Sequence, residues 1–159
     1  MEELLKILEK NARIGTDKIA DMTGISESEV KKRIKKLEKK GVIRKYKTVI
    51  DWEKTGIEHV YALIDVKVIP VREKGYDSVA ERIMRFPEVV SLYLISGVYD
   101  LSVLVKGQSM KEVAAFVSEK LAPLDRVQGT TTHFILKRYK EDGDILFERE
   151  KNKRQAVSA

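Results

Sequence analysis

Between Ser26 and Gly41 the sequence spells out one helix from cap to stop, and any fold open to the chain has to house it. Ser26-Glu27-Ser28-Glu29 sets a serine cap with Glu at the third helical position, the reciprocal capping box, and Gly41 ends the run. Ile25, Val30, Ile34 and Leu37 fall on one side at helical spacing. At about 100° per residue the opposite side collects Ser28, Lys32, Lys35 and Lys39, with Lys36 beside them. Such a helix buries one edge and presents lysines on the other. Running from Glu27 to Lys40 it would be ~21 Å long, which suits a DNA major groove.

The segments before it supply its support. Leu4, Leu5, Ile7 and Leu8 form a helical apolar stripe that frays at Lys10-Asn11-Ala12-Arg13. Thr16 is expected to cap a second short helix carrying Ile19, Ala20 and Met22, which stops at Thr23-Gly24 in a left-handed turn. Two helices, a glycine turn and a basic third helix make a helix-turn-helix unit with the last helix as reader. Val42 to Ile50 is β-rich and carries Arg44, Lys45 and Lys47, so it reads as a wing or connecting strand beside the DNA backbone.

Charge agrees with this placement. The chain has 159 residues and a formal charge of +6, and residues 1–50 hold 14 basic and 8 acidic side chains, leaving 51–159 neutral with 17 of each sign. Within 31–50, ten bases face the single acid Glu38. A basic unit joined to a neutral one points to a polyanion partner for the basic unit. A small helical bundle with a solvated lysine face accounts for the stripe but not for turn, cap and charge arriving together. The candidate DNA contacts are Ser26 and Ser28 at the helix start, Lys31, Lys32, Lys35, Lys36 and Lys39 along it, and Arg44, Lys45 and Lys47 after it.

The remainder has a different rhythm. Val60, Ala62, Ile64, Val66 and Val68 alternate with Asp65 and Lys67 in a strand with one covered face. Val79, Ile83 and Phe86 mark a helix over about 73–85, ending before Pro87. Val89 to Ile95 and Leu101 to Val105 are strands joined by Ser96-Gly97-Val98-Tyr99-Asp100. A second helix spans about 109–121 with Val113, Phe116, Val117 and Leu121 inward, and Gly129 to Leu136 is the last core strand. The order βαββαβ is the ferredoxin-like split unit, an α+β arrangement in which two helices cover one face of a four-stranded antiparallel sheet. Tyr61, Leu63, Leu92, Leu94, Leu101 and Leu104 leave apolar residues for both faces, which predicts sheet-to-sheet homodimerisation. Two reading heads also need a two-fold partner to meet half-sites ~34–36 Å apart. Glu141-Asp142-Gly143-Asp144 reads as a turn, Ile145-Leu146-Phe147 as a short edge strand, and 148–159 as a charged, mobile tail. The expected domains are thus 1–50, 51–147 and that tail.

Several function classes fall away. No cysteine means no disulfide, thiolate zinc site, iron–sulfur cluster or cysteine nucleophile, and nothing else in the sequence calls for a metal or cofactor. No secretory signal is visible and no apolar stretch approaches the ~20 residues of a membrane span, so the cytoplasm is the expected compartment and no membrane partner is expected. Few amides (Asn11, Asn152, Gln108, Gln128, Gln155) beside many Lys and Glu resemble hot-adapted proteins. An enzyme is not expected: only His59 and His133 are present, no phosphate loop or HExxH pattern occurs, and the Ser28-Glu29-Val30-Lys31 match to a Ser-x-x-Lys nucleophile lies on the reading helix. RNA binding by the bare sheet is disfavoured because the sheet lacks a stacking motif of aromatics and Arg.

Ile19-Ala20 with Gly24-Ile25-Ser26 and Val30, then Arg33-Ile34-Lys35-Lys36-Leu37-Glu38 followed by Gly41-Val42-Ile43, Tyr46 and Ile50-Asp51, and the later Gly97-Val98-Tyr99-Asp100 turn, resemble the Lrp/AsnC family of transcription regulators, called feast/famine regulators in archaea. The resemblance covers about residues 4–147, without the family's usual aspartate-rich opening turn. It implies an N-terminal winged helix-turn-helix followed by a RAM-type ferredoxin-like domain. It also implies a DNA-binding regulator that dimerises through its sheets, often assembles into tetramers or octamers, and in many members senses amino acids near the turn corresponding to Gly97–Asp100. An amino acid needs an anion for its ammonium and backbone N–H groups for its carboxylate, which Asp100 and Gly97 can supply. Tyr99, Thr130, Thr131 and Thr132 complete the candidate effector residues. Some relatives are haem-pathway, sirohaem-type decarboxylases that use histidines around a tetrapyrrole, which leaves His59 and His133 as the alternative to be placed.

Overall fold

A computed structural model describes residues 1–70, 72 and 75–147. Its contacts divide the chain between Ile50 and Asp51 into two compact units. The first is helical: α1 (Glu2–Lys10), α2 (Thr16–Thr23) and α3 (Glu27–Lys39). Leu4, Leu8, Ile19, Val30 and Leu37 form its core, with Ile25, Ile34 and Ile43 packed against them. The stripe read along α3 is therefore the face that is buried. Gly24 ends α2 at φ +68°, the left-handed conformation that glycine adopts without steric cost.

Three local features differ from what the sequence predicts. Thr16 is the first residue of α2, with Gly15 at the cap. The Thr16 hydroxyl instead donates to Glu27 Oε1 at 2.6 Å, tying the start of α2 to the start of α3. The capping box is half made: Ser26 Oγ accepts from the Glu29 N–H at 3.3 Å, but Glu29's carboxylate accepts from Arg33 Nε at 2.8 Å and is drawn along the helix. Residues 44–50 belong to no strand, so the wing position holds chain without a ladder. Pairing is what makes a strand, and the β-rich composition of 42–50 finds no partner edge in this unit.

The second unit begins with a 3-10 turn (Trp52–Thr55) and continues as β1 (Val60–Val68), α4 (Asp77–Ile83), β2 (Val89–Leu94), β3 (Leu101–Gly107), α5 (Met110–Ala115, prolonged by a π-type turn over Phe116–Leu121), β4 (Val127–Phe134), β5 (Lys140–Glu141) and β6 (Asp144–Ile145). The sheet order is β2-β3-β1-β4, all antiparallel, as the split βαββαβ order requires. Ala62, Ile64, Val66, Leu101, Val103 and Val105 pack with Val79, Ile83, Val113, Phe116 and Leu121 between sheet and helices. The Phe86 and Phe116 rings meet edge to face at 5.5 Å.

Helix α4 starts at Asp77, later than the expected 73, after Gly75 takes a left-handed φ of +53°. Glu141 is no turn residue and Ile145-Leu146-Phe147 is no edge strand of the core sheet. Lys140–Glu141 and Asp144–Ile145 pair with each other around Asp142 (φ 45°) and Gly143 (φ 94°), the two positive angles of a tight Asp-Gly hairpin. The tail expected over 148–159 lies outside the described residues. Of the apolar residues that serve both faces, Leu92 and Leu101 lie on the helix-covered one, paired with Val103 and Val66. The uncovered face carries Tyr61, Leu63, Tyr93 and Leu104 mixed with Asp65, Lys67 and Lys106, as the registers Tyr61↔Lys106, Leu63↔Leu104 and Asp65↔Ser102↔Tyr93 dictate.

Candidate nucleic-acid interface and effector turn

The cap, the acids of the first turn and the lysines of the last turn all favour helix at Glu27–Lys39, since each sign complements the helix dipole. On its exposed side the predicted contacts separate into two groups. Lys31 pairs with Glu27 at 2.7 Å, and Arg33 pairs with Glu29 at 2.8 Å. Lys31 and the Thr16 hydroxyl hold the Glu27 carboxyl below its usual range, and Arg33 does the same for Glu29. Lys32, Lys35, Lys36 and Lys39 are exposed and carry no ion pair among the described residues. These four make an unneutralised cationic row, the feature a phosphate backbone binds. Ser26 and Ser28 sit at the open N-terminal end with hydroxyl oxygens 3.2 Å apart, and Ser28 is exposed. Arg44, Lys45 and Lys47 follow on exposed chain.

The turn between β2 and β3 is organised differently from what its residue types suggest. Gly97 takes φ +133°, and Val98 is 80% exposed at the tip. Asp100, by contrast, is buried and already engaged: its carboxylate accepts from the Val68 N–H at 2.9 Å and faces Lys67 Nζ at 3.2 Å. The Val68 N–H, foremost, and Lys67 hold the Asp100 carboxyl below its usual pKa, against the opposing pull of burial. The end of a ladder explains this arrangement. The β1–β3 pairing stops at Val66↔Leu101, and the Val68 N–H beyond it, on the same side of β1, finds its acceptor in Asp100.

The Tyr99 hydroxyl meets Thr131 Oγ1 at 2.5 Å. Thr131 pairs with Asp65 and so lies on the uncovered face, whereas Thr130 and Thr132 pair with the buried Val66 and Ile64 and share their face. The structure thus brings Tyr99 and Thr131 together and separates them from Thr130 and Thr132. Sequence reasoning missed Lys67, Asp65 and Ser102. Asp65 accepts from the Ser102 hydroxyl at 3.2 Å and lies 3.3 Å from His133 Nε2, beside Thr131. Only the alternation of β1, with Asp65 and Lys67 on one side, hinted at them.

The two histidines do not share an environment. His133 is held by Asp65, while His59 stands edge-on to Trp52 at 4.8 Å, where burial, then Lys106 and Arg138, lower its pKa. A groove of about 450 Å³ opens there, lined among others by Trp52, Tyr61, Phe134 and Arg138, with Arg138 4.7 Å from the Tyr61 ring. Among the described residues no group of three or more metal-binding side chains occurs, and no helix is long and apolar enough to cross a membrane.

Comparison with known proteins gives consistent matches. A family described as Lrp/AsnC ligand binding domain matches residues 61–145, and one described as winged helix-turn-helix DNA-binding matches residues 2–44. The uncharacterized HTH-type transcriptional regulator YugG of Bacillus subtilis is 56% identical over 98% of this chain and 95% of its own length. The HTH-type transcriptional regulator LrpA of Pyrococcus abyssi is 34% identical over 86% of this chain and 94% of its own. Among solved structures, a feast or famine regulatory protein from M. tuberculosis complexed with L-methionine has the same fold, with a TM-score of 0.71 and 23% identity, covering 91% of this chain and 95% of that one.

Proposed function

The chain belongs to the Lrp/AsnC family of transcriptional regulators, and from that premise we propose that it binds double-stranded DNA through α3 as a homodimer and answers to a small amino-acid-type effector. The observation that carries the DNA reading is the row Lys32, Lys35, Lys36 and Lys39, free of ion pairs among the described residues on a capped helix. Ser26, Ser28, Lys31, Arg44, Lys45 and Lys47 complete the contact set. Lys31 contributes less, since Glu27 already neutralises it. The uncovered sheet face is the proposed dimer surface: Tyr61, Leu63, Tyr93 and Leu104 supply apolar area, and larger assemblies would build on the dimer. A cysteine-free DNA-binding protein of this kind is assigned to the cytoplasm.

Base reading is assigned to Ser28, which is exposed near the N-terminal end of α3, where a short side chain can reach a base edge. Ser28→Ala should bind operator and scrambled duplex with nearly equal affinity, the operator first being isolated by selection with wild-type protein. Undiminished discrimination in a competition assay rejects the role.

For the effector we propose the surroundings of Gly97, Tyr99 and Thr131, with Asp100 positioning the turn and with Thr130 and Thr132 as flanking candidates. Support comes from the methionine carried by the similar M. tuberculosis structure and from polar groups gathered beside open space at Gly97 and Gly129. A thermal-shift screen of the amino acids tests this. A ligand at about 100 times its Kd stabilises the folded state by ~2.7 kcal/mol, which is several degrees for a chain of this size. The shift is expected to shrink in Tyr99→Phe. No shift with any amino acid rejects the effector reading and leaves the DNA reading standing.

A further inference from the structure

We propose that the hydrogen bond from Tyr46 to Glu38 holds the basic segment Arg44–Lys47 against α3, making Tyr46 a positioning residue for DNA binding; this rests on the DNA reading of α3. Glu38 is the one acid among residues 31–50, amid ten bases, and it stands exposed on the helix that carries the cationic row. A carboxylate there opposes phosphate binding, so its presence calls for a compensating role. The structure supplies one. Tyr46 OH donates to Glu38 Oε1 at 2.9 Å, across eight residues of chain. The intervening path starts out well determined. Gly41 N–H bonds to Glu38 O at 2.9 Å, and Val42 and Ile43 N–H bond to Leu37 O at 2.9 and 3.3 Å, while Ile43 joins the helical core. Beyond Ile43 no helix or strand organises the backbone, and Arg44, Lys45 and Tyr46 are exposed. In this stretch the Tyr46 phenol ties the chain back to α3. A tyrosine phenol is protonated at neutral pH and so donates here, and partial burial, reinforced by Glu38, pushes its pKa further up. Unordered chain would lose conformational freedom on meeting DNA, and a tether formed beforehand removes part of that cost.

The test uses the full chain and a fluorescently labelled random-sequence duplex, with affinity measured over a series of salt concentrations. Tyr46→Phe is expected to bind about three- to tenfold more weakly, with the log-log salt slope reduced by about one unit as one phosphate contact loses register. Its thermal midpoint should stay at the wild-type value, because the hydroxyl lost is on the surface. Glu38→Gln keeps an acceptor and removes the charge, so it should keep the wild-type slope and bind more tightly. Tyr46→Phe with wild-type slope and affinity overturns the proposal, as does Glu38→Gln falling as far as Tyr46→Phe. Lys35→Ala separates this failure from failure of the DNA reading: a reduced slope there beside an unchanged Tyr46→Phe sinks the tether alone. Wild-type protein that ignores the duplex at low salt sinks both.

Discussion

Replacing Lys32, Lys35 and Lys39 together with alanine should weaken duplex binding by on the order of a hundredfold at ~0.1 M salt and lower the log-log salt slope by about three units per bound subunit. The three side chains are exposed and unpaired among the described residues, so no intramolecular bond is lost on replacement. Alanine is also the best helix former, so α3 should persist and the thermal midpoint should hold or rise slightly. Fluorescence anisotropy over a salt series, with a melting curve as control, checks both halves. The matched replacement Lys31→Ala should cost less, because Glu27 spends much of that charge within the protein. A triple variant with the wild-type slope would remove α3 from the interface altogether.

Asp100→Ala should destabilise the second unit by ~1–3 kcal/mol, since it strands the buried Val68 N–H just beyond the end of the β1–β3 ladder. For a chain of this length that corresponds to a fall in melting temperature of roughly 2–10 °C. The sign of the pH dependence follows from the depressed carboxyl. Asp100 has a lower pKa folded than unfolded, so its contribution is fully present above the ordinary aspartate value of 3.8 and is lost as pH falls through the folded value. Wild-type protein should therefore lose stability in the acid range more steeply than Asp100→Asn, as melting curves taken from neutral pH down to about pH 3 would reveal. An Asp100→Ala protein with unchanged melting would mean that the Val68 contact contributes nothing. Effector titrations of Asp100 variants need this control, because a loosened turn would lower ligand affinity without any direct contact.

The elements most legible in the sequence were those written by near neighbours. The stripe Val30, Ile34 and Leu37 with its serine cap produced α3 within one residue of its observed end, and the alternation from Val60 to Val68 produced β1 with its inward face intact. Glu141-Asp142-Gly143-Asp144 reads as a turn, but the two short strands that pair across it are not visible, because two residues of pairing leave almost no periodicity to read. The site was only partly legible. The cationic row was visible from spacing alone, whereas its division into paired and unpaired members was not, since Lys31 and Lys35 look alike in sequence. Aspartate in a turn looks the same whether it awaits a ligand or fastens its own backbone, and at Asp100 it is the latter.

Sequence alone determined the order of the three helices and of the βαββαβ elements, the confinement of the net positive charge to residues 1–50 and the buried faces of α3 and β1, because caps, turns and amphipathic periods depend on residues a few places apart. Tertiary structure decided the rest. Asp100 meets Lys67 and Val68, Thr131 meets Tyr99, and Thr16 meets Glu27 across sequence gaps of 11 to 33 residues. Such contacts exist only once the chain has closed those loops, and several groups of the same type compete for each partner until packing selects one.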